Sequence, residues 1–179
     1  MKIAITGHPG VGKSTLATRV AERTPLICGG MVTAEIQKCG RRVGFAVRNL
    51  ATGEEGVLAH LHHSDGPAFG PYRLNLRDLE QIGVLAIERA IEEAELVIVD
   101  EVGPMELRSS RFIQAVEQAI AEAPHLLVTV HRRSNHSLAY TIRHRVDHMV
   151  RLTRERWEEA VAEVLQCLTE DRTEARGPA

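Results

Sequence analysis

Large aromatic side chains are scarce in this chain, with one Trp, two Tyr and three Phe among 179 residues. So few rings leave little to stack on a base; Tyr72 and Trp157 are candidates, and both serve equally well as core filler. Cysteine is also rare. Cys28, Cys39 and Cys167 are odd in number, widely spaced and form no CxxC pair, which argues against a disulfide framework or a zinc ribbon and for reduced thiols. Charge of one sign is not in excess: the net charge of -2 gives no global pull toward nucleic acid or an anionic membrane. Long hydrophobic runs are missing as well. The first apolar stretch, "IAI", is too short for a signal segment, and no later stretch approaches a membrane span. The expectation is a soluble, cytoplasmic protein without membrane partners, and a monomer by default because no apolar heptad run appears.

What is present is enough to build a core. With 44% hydrophobic and 26% charged residues, the chain suits a single domain over residues 1–168, followed by a polar tail, 169–179, expected to be disordered. Lys2–Thr6 reads as a buried strand, and "STLATRVAER" has helical spacing up to Pro25. From 27 to 61, β-branched segments alternate with the turn signals "KCGR" and "ATGEEG", which predicts an antiparallel meander. A Gly/Pro-rich loop is expected over 62–72, and a helix over about 79–93. The apolar runs at 96–101, 125–130 and 148–153 read as buried strands, separated by helices at 112–122 and 138–145 and followed by one at 156–168. Strands buried on both faces and alternating with helices predict a three-layer α/β fold, mainly parallel, with the meander as its antiparallel portion.

The strongest local signal is "GHPGVGKS", residues 7–14, between the first strand and the first helix. Gly7, four residues, then Gly12-Lys13-Ser14 satisfies the phosphate-loop pattern GxxxxGK[ST]. In such a loop, backbone N–H groups and the helix N-terminus converge on phosphate oxygens. Gly7, His8, Pro9, Gly10, Val11, Gly12, Lys13, Ser14 and Thr15 are the candidate nucleotide-binding residues. Lys13 would reach the β- and γ-phosphates, and the Ser14 hydroxyl would ligate Mg²⁺.

A phosphate loop of this kind needs a carboxylate at the end of a neighbouring strand, and hydrolysis needs a group that activates water. "LVIVDE" supplies both: Asp100 is the candidate for Mg²⁺ and Glu101 for the general base. In "HRRS", just past the third buried strand, Arg132 or Arg133 is the candidate for neutralising charge on the γ-phosphate, against the alternative of a solvated basic loop. Arg41-Arg42 reads as an ordinary turn pair. The histidines at 60, 62, 63, 131, 136, 144 and 148 lack ligand spacing and read as surface or loop residues.

The segments "GHPGVGKST", "GGMVTAEIQKCGRRVGFAV", "VIVDEVGPMEL" and "VHRRS", in that order, resemble the THEP1 family of nucleoside-triphosphatases, also called cancer-related NTPases. The resemblance extends over residues 1 to about 168. It implies a RecA-like P-loop fold and Mg²⁺-dependent hydrolysis of nucleoside triphosphates, ATP, GTP and others, to diphosphate and phosphate with weak discrimination between bases. Glu106 belongs to the family motif without a role that transfers. Where the family tends to carry Asn-Arg after the last strand, this chain has "TRERWEE", so base selection does not carry over there. Two other functions use the same loop: a kinase for a nucleotide, nucleoside or nucleic-acid acceptor, with "HRRSNHS" as a lid, and a nucleotide-gated switch. The switch lacks an NKxD-type base-recognition segment, and the kinase differs only in an acceptor that sequence does not display.

Overall fold

Apolar residues at period two in the short runs put alternate side chains on opposite faces of one sheet. A computed structural model describes the backbone of residues 1–176 and the side chains through 170. Its strands are β1 (Lys2–Gly7), β2 (Cys28–Lys38), β3 (Arg41–Asn49), β4 (Glu55–His60), β5 (Ala68–Phe69), β6 (Tyr72–Leu74), β7 (Leu96–Val102), β8 (His125–His131) and β9 (His148–Leu152). The helices are α1 (Lys13–Arg23), α2 (Leu76–Asp78), α3 (Leu85–Glu93), α4 (Ser110–Glu122), α5 (Ser137–Arg145) and α6 (Trp157–Arg176). A π-helical segment, Leu79–Val84, joins α2 to α3, and a 3₁₀ turn, Glu106–Arg108, precedes α4.

All strands share one nine-stranded sheet in the order β5-β6-β4-β3-β2-β7-β8-β1-β9. From β2 to β9 the neighbours run parallel, and from β2 out to β5 they run antiparallel. The meander is therefore continuous with the parallel body rather than a separate insertion. In the body, Ile3, Ile5, Leu96, Ile98 and Leu127 face α1 and α6. Ala4, Val97, Val99, Leu126 and Val128 face the layer of α3, α4 and α5. Each fully buried Leu or Ile contributes about 1.5–3 kcal/mol over its exposed state, so the two faces together fix the register of the body.

β2 belongs to both regions. Cys28–Met31 pair in parallel with β7, while Met31–Lys38 pair antiparallel with β3. Its first half is mostly buried and its second half mostly exposed, so the strand leaves the body and carries the meander out to one side.

Three boundaries differ from the sequence expectation. The stretch 62–72 is not all loop: β5 and the first residue of β6 pair there as a short hairpin. The helix expected from 79 starts at Leu76, where the Asn75 side chain accepts from the Asp78 N–H at 3.1 Å. It passes through the π-helical segment, where Gly83 lies so close to the sheet that a Cβ would meet Met31 Sδ at 2.9 Å. α6 continues past 168 to Arg176, into the expected tail; residues 177–179 of that tail lie outside the described residues. Among the described residues, no helix is long and apolar enough to cross a membrane.

Candidate active site

β1 ends at Gly7 and α1 begins at Lys13, so "GHPGVG" must turn the chain back over the sheet edge within a few residues. Gly12 makes that turn with φ 98°, in the left-handed region open to glycine. It is also pressed against Trp157: a Cβ there would lie 2.9 Å from the indole nitrogen, which donates to the Gly12 carbonyl at 3.2 Å. α1 starts with no side-chain cap and no acidic residue in its first turn, whereas α4 is capped by the Ser109 hydroxyl. The uncapped N–H groups and the positive end of α1 face the cleft, which suits an anion.

β7 delivers the second element. Its four apolar residues carry Asp100 and Glu101 to the carboxyl edge of the sheet, where ligands bind in open α/β sheets. The peptide between the two is cis, and the pairing of β7 with β8 skips from Val99 to Val102 across it. Asp100 is fully buried. Thr129 of β8 donates to its Oδ1 at 2.5 Å, and the Thr33 hydroxyl of β2 donates to its Oδ2 at 3.3 Å. The Ser14 hydroxyl is a further donor. Burial pushes the Asp100 carboxyl above its ordinary pKa, against the pull of the Ser14 and Thr129 hydroxyls, the Thr33 backbone N–H and Lys13.

Lys13 is itself 6% exposed and points to Glu101, with Nζ 3.5 Å from Oε2. Burial raises the Glu101 pKa and the Asp100 charge adds to that, while Lys13 and His131 draw it down. Glu106, 2% exposed, comes from the 3₁₀ turn. Its carboxyl accepts from the backbone N–H groups of Gly103 and of its own residue, and burial pushes its pKa up to about 8.

Lys13, Ser14, Thr33, Glu101 and Glu106 line a cleft of about 900 Å³, near the upper end for small-molecule sites, and Asp100 is buried behind its wall. Of the expected nucleotide-binding residues, Pro9, Gly10, Gly12, Lys13, Ser14 and Thr15 line it. Gly7 lies beneath the loop, where a Cβ would meet the Leu152 carbonyl oxygen at 2.9 Å. Val11 packs into the core layer of α1 and α6. His8 is exposed and in contact with the Arg132 guanidinium. The two arginines thus part company: Arg132 reaches the phosphate loop, while Arg133 lines an adjacent cavity of about 430 Å³ with Arg108 and His136. His131 and Pro104 border both spaces.

Three residues that sequence reasoning passed over belong to this site. Thr129 and Thr33 are hydroxyls inside otherwise apolar strand sequences, "HLLVTV" and "GGMVTA", and a lone polar residue in a buried run was the available signal. Arg42 lines the cleft, contrary to its reading as a turn pair, because the meander folds β3 over the edge of the site. The stacking candidates resolve differently. Trp157 has its N–H committed to Gly12, and Tyr72 is 9% exposed with its hydroxyl accepting from Arg42 Nε at 3.2 Å.

A family described as NTPase matches residues 2–165. The chain belongs to that NTPase family. It is 46% identical over 147 residues to the nucleoside-triphosphatase THEP1 of Methanosarcina acetivorans, spanning 80% of this chain and 83% of that protein. The THEP1 of Thermococcus kodakarensis is 45% identical over 139 residues, 74% of this chain and 77% of that protein. Among solved structures, THEP1 from the hyperthermophile Aquifex aeolicus superposes with a TM-score of 0.85 at 31% identity, covering 94% of this chain and 99% of that one. A human cancer-related nucleoside triphosphatase superposes at 0.76 and 29% identity, with 94% and 97% covered. The mixed α/β architecture is thus the P-loop fold of this NTPase family, as the resemblance implied.

Proposed function

We infer that this NTPase-family chain hydrolyses nucleoside 5'-triphosphates, ATP, GTP and others, to diphosphate and phosphate, with little discrimination between bases. The observation that carries the reading is the meeting of Lys13 and Ser14 with Glu101 in one cleft, with Asp100 buried behind Ser14 and accepting from its hydroxyl. In this reading the loop N–H groups and the α1 terminus hold the phosphates, and Lys13 turns from Glu101 to the γ-phosphate when substrate enters. Glu101, freed of Lys13, takes a proton from the attacking water as it bonds to phosphorus. The Arg132 guanidinium, beside His8 of the loop, supplies positive charge for the oxygens of the transition state.

The Ser14 and Asp100 oxygens suit Mg²⁺, a hard cation that favours oxygen donors, and Thr33 and Thr129 hold the Asp100 carboxylate in place for it. Bound there, Mg²⁺ supplies charge neutralisation on the β- and γ-phosphates. Free thiols at Cys28, Cys39 and Cys167 and a substrate abundant in the cell interior support a cytoplasmic setting, and the reading needs only one chain. The test is Glu101→Gln. Turnover is expected to fall about 10²–10⁴-fold while nucleotide binding stays within a fewfold; full turnover in that variant removes Glu101 as the base.

A further inference from the structure

The two spaces that meet at His131 and Pro104 treat positive charge differently. Every lysine and arginine that lines the cleft meets a carboxylate: Lys13 pairs with Glu101 at 3.5 Å, Arg19 with Glu22 at 3.7 Å and Arg42 with Glu35 at 2.8 Å. The adjacent cavity of about 430 Å³ has Arg108 and Arg133 in its wall and no carboxylate. Among the described residues, neither of these guanidinium groups is ion-paired. The chain around them is cationic as well. Between Glu122 and Asp147 it holds four arginines and no acid, in a molecule whose net charge is -2.

The loop that walls this cavity has its acceptors occupied and keeps donors to offer. The Arg132 and Ser134 carbonyls, which would repel an anion, accept from Arg143 at 3.4 and 3.1 Å. The His131 carbonyl accepts from the Ser134 N–H at 3.1 Å. At the start of α5, His136 Nδ1 accepts from the Leu138 N–H at 3.2 Å, so the hydrogen of the neutral ring sits on Nε2. Two guanidinium groups, a ring N–H and the Asn135 amide make a donor set that suits a tetrahedral oxyanion. His131 joins this wall to the chemistry: it pairs in register with Gly7 of the phosphate loop and acts electrostatically on Glu101. A phosphate freed in front of Glu101 therefore forms at the boundary between a space whose cations are neutralised by acids and one whose cations are not. While nucleoside diphosphate still fills the loop, the field draws a dianion toward the second space.

We propose that the cavity beside His131 is a site for inorganic phosphate, which takes the cleaved γ-phosphate from the cleft before it leaves the protein. Arg108 and Arg133 hold its charge, and the volume leaves room for water around the ion. Its role as an exit rests on the hydrolytic reading of the cleft; its capacity to bind phosphate does not.

The experiment titrates labelled inorganic phosphate into the full chain saturated with Mg²⁺ and a non-hydrolysable ATP analogue, so that the phosphate loop and the γ-position are already filled. A single phosphate is expected to bind per chain. Its affinity should fall at least about tenfold in Arg108→Ala and in Arg133→Ala, the range for losing a charge-assisted contact. It should hold in Arg145→Ala, a charge of the same segment that does not line the cavity. During turnover of ATP, added phosphate should inhibit in a manner that saturating ATP does not relieve, and Arg108→Ala should weaken that inhibition while its single-turnover cleavage, which also reports that it is folded, stays unchanged. No phosphate bound with the loop filled overturns the proposal, as does binding that neither lining variant weakens or that Arg145→Ala weakens equally. Inhibition fully relieved by ATP overturns the exit role. Absence of phosphate release from ATP in the unmodified chain would overturn the hydrolytic reading and the exit role with it, while the titration still decides the site.

Discussion

The two arms of the sheet treat polar side chains in opposite ways. In the parallel arm, Asp100, Thr129 and Lys13 are buried and satisfied by one another or by near neighbours. In the antiparallel arm, Arg42, Glu35 and Arg48 sit on exposed positions. A parallel strand covered on both faces has no solvent to stabilise a charge, so each polar group there needs an assigned partner. A meander with an open face carries charge at little cost and tolerates change. The chemistry is held by the arm that cannot vary cheaply, and the space beyond it is shaped by the arm that can.

The largest break in this contrast is expected from Lys13→Ala. Removing the cation that pairs with Glu101 at 3.5 Å should lower turnover about 10²–10³-fold, read as phosphate release under saturating nucleotide. A variant retaining a tenth of normal turnover would show that the parallel arm does not depend on this charge. Next is Thr129→Val, which keeps shape and removes the 2.5 Å hydrogen bond to Asp100. Loss of a group that orients a ligand carboxylate typically costs about 10–100-fold in metal affinity or activity, so the Mg²⁺ concentration for half-maximal release should rise by that factor.

Glu106→Gln is expected to have the smallest effect on turnover and a clear one on stability. Burial, with the charges of Glu101 and Asp100 facing it, moves its pKa from the ordinary 4.5 to about 8 on folding. Below pH 4.5 both folded and unfolded chains hold this proton; from 4.5 to 8 only the folded chain does. Stability therefore falls as pH rises through that window and levels off above it. Glutamine removes the titration, so the variant should gain on the parent with rising pH, reaching on the order of a few kcal/mol in the alkaline range. Denaturant midpoints measured at acid and alkaline pH check this; an equal difference at both ends would mean that Glu106 stays ionised.

Much of the body was legible in the sequence because its signals are local. The GxxxxGK[ST] spacing, the apolar run before Asp100 and the β-branched segments with turn residues each lie within a dozen residues. What escaped depends on distance across the fold. Thr33 and Thr129 matter because β2 and β8 flank β7, and strand order is not written in any one segment. Arg42 enters the cleft because β2 leaves the body halfway along its length. The β5–β6 hairpin, only two and three residues long, has no room to display a periodic pattern. Arg132 and Arg133 are neighbours with the same chemistry, and the course of the loop, whose Ser134 and Arg132 carbonyls accept from Arg143 at 3.1 and 3.4 Å, sends Arg132 to His8 and Arg133 to the adjacent cavity.

The indole that braces Gly12 is the only tryptophan in the chain. Its emission therefore comes from one place, the back of the phosphate loop, with no second fluorophore of its kind to dilute the signal. Filling the loop with triphosphate brings negative charge within reach of that ring, and the emission should shift or quench as it does so. The chain carries its own optical gauge of occupancy, readable in real time without a label, and Trp157→Phe should silence the gauge.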